Sequence, residues 1–232
     1  MMSDAEQPPK PAPSAPQLSA VPLFPLPNVV LFPRAVLPLH IFEERYKAMT
    51  ADALSGDRQV AMALLKPGWE KNYYSRPAIE PVVCVGTILS HERLPDGKYN
   101  FLLQGTTRAR IVQEFPGLPY RVAQLQPLPE TPVMEIDLEY ERHLMHEVFG
   151  NRPLGETGIG RQFRKILAGP LATADVADLI AFNFLEDPDL KQSLLADPDV
   201  RHRVRRIIET VRTTLPELAV AGARVSGDAS LN

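Results

Sequence analysis

A chain of 232 residues, 44% of them hydrophobic and 23% charged, has enough apolar surface for one folded unit or for two small subdomains sharing a core. A formal net charge of −3 excludes the broad cationic footprint by which proteins neutralise nucleic-acid phosphates, leaving only local basic patches for such a role. A single cysteine excludes an internal disulfide and a multi-thiolate metal centre, and the lack of any run of about 18 apolar residues excludes a membrane-spanning helix, so a cytoplasmic location is expected.

Met1 to Ala20 is rich in Pro, Ala, Ser and Gln without the basic start and continuous apolar core of a secretory signal. Residues 1–20 are expected to form a disordered leader. Prolines and apolar residues then alternate through Val21-Pro22-Leu23-Phe24-Pro25-Leu26-Pro27 and on to Phe32-Pro33. Each proline removes a backbone donor and clashes with a preceding helical turn, so this stretch must run extended along a core. A helix is expected only after Phe42. Glu43 and Glu44 suit the exposed N–H groups of a first turn, Tyr46, Met49, Ala53 and Leu54 form an apolar stripe, and Gly56 stops it.

From Gln59 to Leu128 the dominant signal is strand. Val60 to Leu65 and Pro81 to Leu89 are apolar runs of the kind buried on both faces, with Cys84 inside the second. The loop between them, Lys66 to Pro81, carries Trp69, Tyr73 and Tyr74. Large amphipathic rings on a loop suit contact with a partner, and local packing onto the strands is the competing reading. Pro95-Asp96-Gly97 marks a hairpin: Pro fixes φ, Asp caps its own backbone and Gly accepts positive φ. Beyond it Tyr99, Phe101 and Leu103 share one face, Arg108 and Arg110 share a face of the next strand, and Tyr120 to Gln126 is the last strand. Strands of that number and spacing, with one early helix, suit a small closed or nearly closed barrel over residues 21–128. The Pro-rich stretch 127–132 is its boundary.

After Met134 the period becomes helical, and residues 133–216 are expected to form a bundle. Ile136, Tyr140, Leu144 and Val148 recur at four-residue spacing, Phe163, Ile166 and Leu167 mark a second helix, and Asp175 to Leu185 a third. Asp187-Pro188 and Asp197-Pro198 repeat one device, Asp as N-cap and Pro at the first helical position. Val200, Val204, Ile207, Ile208, Val211 and Leu215 stripe the final helix. Residues 217–232, small and polar, are expected to be a flexible tail.

The order of these blocks says more than any one of them. The opening to Tyr46, the set Val85-Gly86-Thr87-Ile88, Leu94 to Lys98 and Gly105 to Ile111, and the helical runs Ala177 to Ile180, Leu190 to Leu195 and Asp199 to Val204 resemble the N-terminal, substrate-binding domain of the Lon proteases, in the form of small stand-alone Lon-domain proteins. The resemblance implies an α+β fold, a PUA-like β-barrel subdomain followed by an α-helical bundle. It also implies a non-catalytic module that binds unfolded or extended polypeptide segments, with a protease or chaperone complex as a further partner and no cofactor. Trp69, Tyr73 and Tyr74 are then the candidate partner-binding residues. An RNA- or nucleotide-binding use of the barrel, with Arg108 and Arg110 as anion contacts, is the alternative.

A full Lon protease carries an ATPase module and a proteolytic Ser–Lys module after this domain. This chain has no Gly-x-x-x-x-Gly-Lys phosphate cradle and no Gly-x-Ser-x-Gly elbow, so neither ATP hydrolysis nor peptide cleavage is expected. His143 and His146 lie three apart on a helix but lack the His-Glu-x-x-His order of a zinc hydrolase, and a solvated helix face is the stronger reading. His40 reads as a structural hydrogen-bonding residue. The glycine-rich run Gly155 to Gly160 follows a helix rather than a strand, out of context for a phosphate loop. The arginines of the final helix, interspersed with Asp199 and Glu209, read as its polar side.

Overall fold

The structure, a computed structural model, describes residues 18–150 and 154–227, with the side chains of the last helix followed to residue 214. The expected leader lies outside the described residues up to 17, and its last three residues open the first strand, β1 (Leu18–Leu26). Five further strands follow: β2 (Val36–Ile41), β3 (Gln59–Leu64), β4 (Val82–Arg93), β5 (Tyr99–Phe115) and β6 (Arg121–Pro127). The helices are α1 (Glu44–Ser55), α2 (Glu139–Gly150), α3 (Gly158–Leu167), α4 (Thr173–Phe184), α5 (Pro188–Leu195) and α6 (Val200–Gly227). Helix α6 continues well into the stretch expected as a tail, of which only 228–232 lies outside the described residues.

The strands form one mixed sheet in the order β2-β5-β4-β3-β1-β6, with β5 also paired to β6. Strand β1 runs parallel to β3 through Leu23–Leu26 and antiparallel to β6 from Leu18 to Leu23. The two strands expected around Gly105 are one. Along β5, Tyr99 to Gln104 pair with β2 and Ala109 to Phe115 with β6, while β4 takes the opposite edge. The pairing therefore returns on itself through β4, β3, β1 and β6, but β2 and the distal halves of β4 and β5 extend outside that ring. The expected PUA-like barrel is thus corrected to a mixed α+β sheet that closes only in part.

Alternation of side chains splits the ring strands between two cores. Val21, Leu23, Ala61, Ala63, Val83, Val85, Ala109, Ala123 and Leu125, from all five ring strands, form a small cluster of their own. Its four alanines match the narrow space left between strands that close on one another. The alternate residues, among them Phe24, Val60, Met62, Leu64, Val82 and Cys84, join α1 and the later helices in one large core. That is why β3 and the first half of β4 read as nearly continuous apolar runs. Gly105 shows how tightly the first loop is laid over this layer. A Cβ there would stand 2.1 Å from the Phe32 carbonyl oxygen, and the glycine exchanges backbone hydrogen bonds with Arg34 (2.8 Å) and Ala35 (2.9 Å).

The helices do not stand apart as a free bundle. Leu138, Met145, Phe149, Phe163, Ile180, Leu194 and Ile207 belong to the same core as the strands, and the Gln192 amide of α5 donates to the Val82 carbonyl of β4 at 2.9 Å. Helix α2 is rotated from its expected setting. Ile136, in the 3-10 turn Glu135–Leu138 that leads into it, and Tyr140 are 66% and 68% exposed, and the buried residues are Leu138 of that turn and Glu141, Met145 and Phe149 of α2. Phe149 stacks on Phe163 at 5.0 Å and packs against Phe184 at 5.3 Å, while Glu141 is buried because it accepts a hydrogen bond from Arg205 Nε at 2.7 Å. The caps divide similarly. Asp187 caps α5 by accepting from the Asp189 N–H with Pro188 in the first turn, as expected. Asp197 makes the same bond, accepting the Asp199 N–H at 3.0 Å, but α6 starts at Val200 and the Asp199 carboxylate accepts the His202 N–H, so the cap of the helix itself stands two residues beyond Asp197.

Cys84 is wholly buried, and burial pushes its thiol up to about 12. A neutral, enclosed thiol does not attack disulfides. We expect no reaction of the native protein with Ellman's reagent and release of one thiol equivalent in denaturant; prompt labelling of the native form would contradict this packing.

Candidate functional site

The loop between β3 and β4 carries a 3-10 turn, Trp69–Asn72, and brings the three sequence-selected rings together. Tyr73 stands between Trp69 and Tyr74, with edge-on contacts of 5.5 Å and 5.2 Å. Their surroundings differ. The Tyr73 hydroxyl donates to Glu43 Oε1 at 2.5 Å, and Arg45 Nε donates to the other oxygen of that carboxylate at 3.0 Å. The Arg45 guanidinium lies over both Tyr46 (4.6 Å) and Tyr73 (4.9 Å). Burial and the Glu43 carboxylate push the Tyr73 phenol up, and burial carries Tyr46 to about 12, so both remain neutral. Glu43 is thus the N-cap position of α1 and also the anchor that fixes the loop. Tyr74, with no such tie, is 91% exposed.

Tyr73 and Tyr74 line a cavity of about 250 Å³ between the first turn of α1, this loop and the β5–β6 hairpin. Trp69 stands behind Tyr73 and does not line it. The hairpin turns at Gly117, whose φ of 110° suits glycine, and presents Leu118, Pro119, Tyr120 and Arg121 to the cavity. Tyr120 is held by its hydroxyl, which donates to Asp52 of α1 at 2.6 Å. Arg121 donates to both oxygens of Glu114 at 2.8 Å and 2.6 Å and to the Pro77 carbonyl at 2.6 Å. One guanidinium therefore joins the hairpin to the loop across the cavity.

A second cavity, about 360 Å³, lies at the seam of sheet and helices, with Arg108, Glu130, Asp178 and Arg203 in its wall. Arg108 Nη2 donates to Asp178 Oδ1 at 2.6 Å, and its Nη1 is 3.0 Å from Glu130. Arg203 Nη2 donates to Glu130 at 2.6 Å and its Nη1 to the Asp197 carbonyl at 2.8 Å. Burial pushes the Asp178 carboxyl up and the two guanidiniums pull it back. Arg108 and Arg110 share a strand, as expected, but not an environment: Arg108 is 4% exposed and committed to these pairs, and Arg110 is exposed. They do not make a joint anion site. His143 and His146 are exposed, His143 Nε2 standing 3.4 Å from Glu147, and His40 Nδ1 lies 2.7 Å from Asn100 Oδ1.

Residues 20–213 match the family model described as the ATP-dependent protease La (LON) substrate-binding domain. The chain belongs to this family. It is similar to Lon protease 2 of Sorangium cellulosum (strain So ce56), with 29% identity over 218 residues, 90% of this chain and 26% of that protein. Lon protease 1 of Syntrophobacter fumaroxidans is 26% identical over 211 residues, 90% of this chain and 25% of that protein. The chain thus spans about a quarter of the length of these relatives. Among solved structures, the N-terminal domain of the Mycobacterium avium complex Lon protease superposes with a TM-score of 0.63 at 16% identity, over 83% of this chain and 98% of that one. A Lon N-terminal domain protein from Xanthomonas campestris gives 0.58 at 19% identity with the same coverage. Both likenesses speak to the fold.

Of the three rings selected from sequence, Tyr73 and Tyr74 line this cavity and Trp69 does not, and its cations and far wall were missed. Arg45, Arg76, Leu118, Tyr120 and Arg121 come from three separate segments. The one local signal was Leu118-Pro119-Tyr120, apolar residues placed directly after a turn glycine, where exposure has to be explained.

Proposed function

We propose that this chain is a polypeptide-binding module of the cytoplasm, holding extended apolar segments of unfolded proteins at the cavity between the Tyr73–Tyr74 loop and the β5–β6 hairpin, and that it binds without cutting. Family membership supports the kind of partner. The observation that carries the location is the rim: Tyr74, 91% exposed, and the exposed Leu118 line the same cavity, while the ion pairs of Glu43 and Arg121 hold both rims in place. Large apolar groups kept in water on fixed supports recover free energy when a partner covers them. Delivery to a protease or chaperone complex is the use such a module would have. No group of three or more His, Cys, Asp or Glu able to hold a metal ion occurs among the described residues, and none of the described helices is long and apolar enough to cross a membrane.

Fluorescence anisotropy with labelled, unfolded casein tests this. Replacing Tyr74 or Leu118 by Ala is expected to weaken binding about thirtyfold each, the scale of an interface hot spot, with the melting temperature unchanged because neither ring nor branch supports the core. Trp69→Ala should act the other way, lowering stability more than affinity, since that ring props Tyr73 from behind. The casein should stay intact throughout. Absence of casein binding by the wild type, or binding indifferent to Tyr74 and Leu118, would remove this reading.

A further inference from the structure

The cations at this rim narrow the partner to a class of segment, a step that rests on polypeptide binding at the same cavity. Among the described residues three guanidinium groups line it, those of Arg45, Arg76 and Arg121, and no carboxylate does. Glu43 and Glu114 stand behind the wall, each already bonded to an arginine. Two of the cations are committed: Arg121 to Glu114 and the Pro77 carbonyl, Arg45 to Glu43 and the Tyr73 carbonyl. Arg76 is not. It is 44% exposed, it makes no hydrogen bond among the described residues, and its one ion pair, to Glu114, is 3.7 Å long. It stands on the lip two residues past Tyr74, so cation and exposed ring meet the same stretch of a bound chain.

We infer that the site selects extended segments in which an aromatic or aliphatic residue has an acidic neighbour, the apolar side chain entering among Tyr73, Tyr74 and Leu118 and the carboxylate pairing with Arg76. The complementary charge is that of an internal Asp or Glu rather than of a chain terminus. The loosely held cation is at the rim, beside a passing chain, whereas the deeper guanidiniums that an inserted terminus would meet are held by carboxylates. Arginine suits the role, since its planar fork can grip both oxygens of a carboxylate while its stem lies along a ring.

The test uses labelled, amidated 12-residue peptides that differ at one position next to a central Phe, carrying Asp, Asn or Lys there, with the intact protein and anisotropy as readout. Wild-type protein should bind the Asp peptide about three- to fivefold more tightly than the Asn peptide, the size of one exposed ion pair, and the Lys peptide most weakly. In Arg76→Gln the Asp and Asn peptides should become equal, with the affinity for the Asn peptide retained, and Arg76→Glu should favour Lys. Replacing the central Phe by Ser should abolish binding of all three. Equal binding of the three peptides by the wild type overturns the inference while leaving polypeptide binding in place. If neither the peptides nor unfolded casein bind, it is the underlying reading that fails. A non-amidated peptide binding far more tightly than its amide, whatever the neighbouring residue, would show that the cavity takes a chain terminus and would overturn the inference as well.

Discussion

Replacing Asp178 by alanine should destabilise the protein by about 3–5 kcal/mol, the cost of leaving buried charge without its partner. Asp178 is 2% exposed, Arg108 4% and Arg203 1%, so water reaches none of them to any useful extent. Both guanidiniums lean on the one carboxylate, Arg108 at 2.6 Å and Arg203 at 3.4 Å. Its removal leaves two buried cations sharing Glu130, which is itself half-exposed. Asp178→Asn should cost nearly as much, because it restores shape without charge. The comparison is Arg34→Ala, whose pair with Asp175 at 3.2 Å is mostly in solvent on the arginine side and should be worth under about 1 kcal/mol. Urea unfolding measures all three. A change below about 1 kcal/mol for Asp178→Ala, on the scale of ordinary surface substitutions, would show that this cluster does not hold sheet and helices together.

The second large effect belongs to α2. Phe149→Ala should cost about 3–5 kcal/mol, since that ring is fully buried against Phe163 and Phe184. Tyr140→Ala, two-thirds exposed, should change stability by less than about 0.5 kcal/mol. A helix set as the four-residue spacing suggests would reverse the order, with Tyr140 the costly residue, and thermal or urea unfolding of the two variants decides between the settings.

That helix shows where sequence stops being legible. Residues on a helix advance by about 100° each, so a strict four-residue ladder turns by about 40° at every step and winds off the face on which it began. Tyr140 therefore leaves the core, while Leu144 and Val148 reach its edge, and Ile136 lies before the helix, in the 3-10 turn. Glu141 lies inside because Arg205, sixty-four positions away in sequence, supplies its partner, and no local pattern encodes that. The opposite holds for β3, β4, α1 and the hairpin at Gly97. Their signals are local (continuous apolar runs, an acidic first turn, a turn glycine), and each appears where the spacing placed it. The site divides along the same line. Trp69, Tyr73 and Tyr74 stood out as large rings on one loop, whereas the cavity that Tyr73 and Tyr74 border needs α1 and a hairpin more than forty residues further on, and Arg108 looked accessible only because Asp178 and Arg203 had yet to be brought against it.

The pairing of β1 sets an order of events during synthesis. Its residue Val21 pairs with Ala123, which leaves the ribosome roughly 100 residues and, at about 5–20 residues per second, on the order of 5–20 s later. Until then β1, made before the other five described strands, has at most its parallel neighbour β3, with its other edge of backbone N–H and C=O groups unpaired. Unpaired strands of this kind recruit strands from other chains. Pro22 and Pro25, spaced within that strand, each withhold a donor that a stray strand would need, so the nascent segment is a poor template for aggregation while it waits for the partner that completes its sheet.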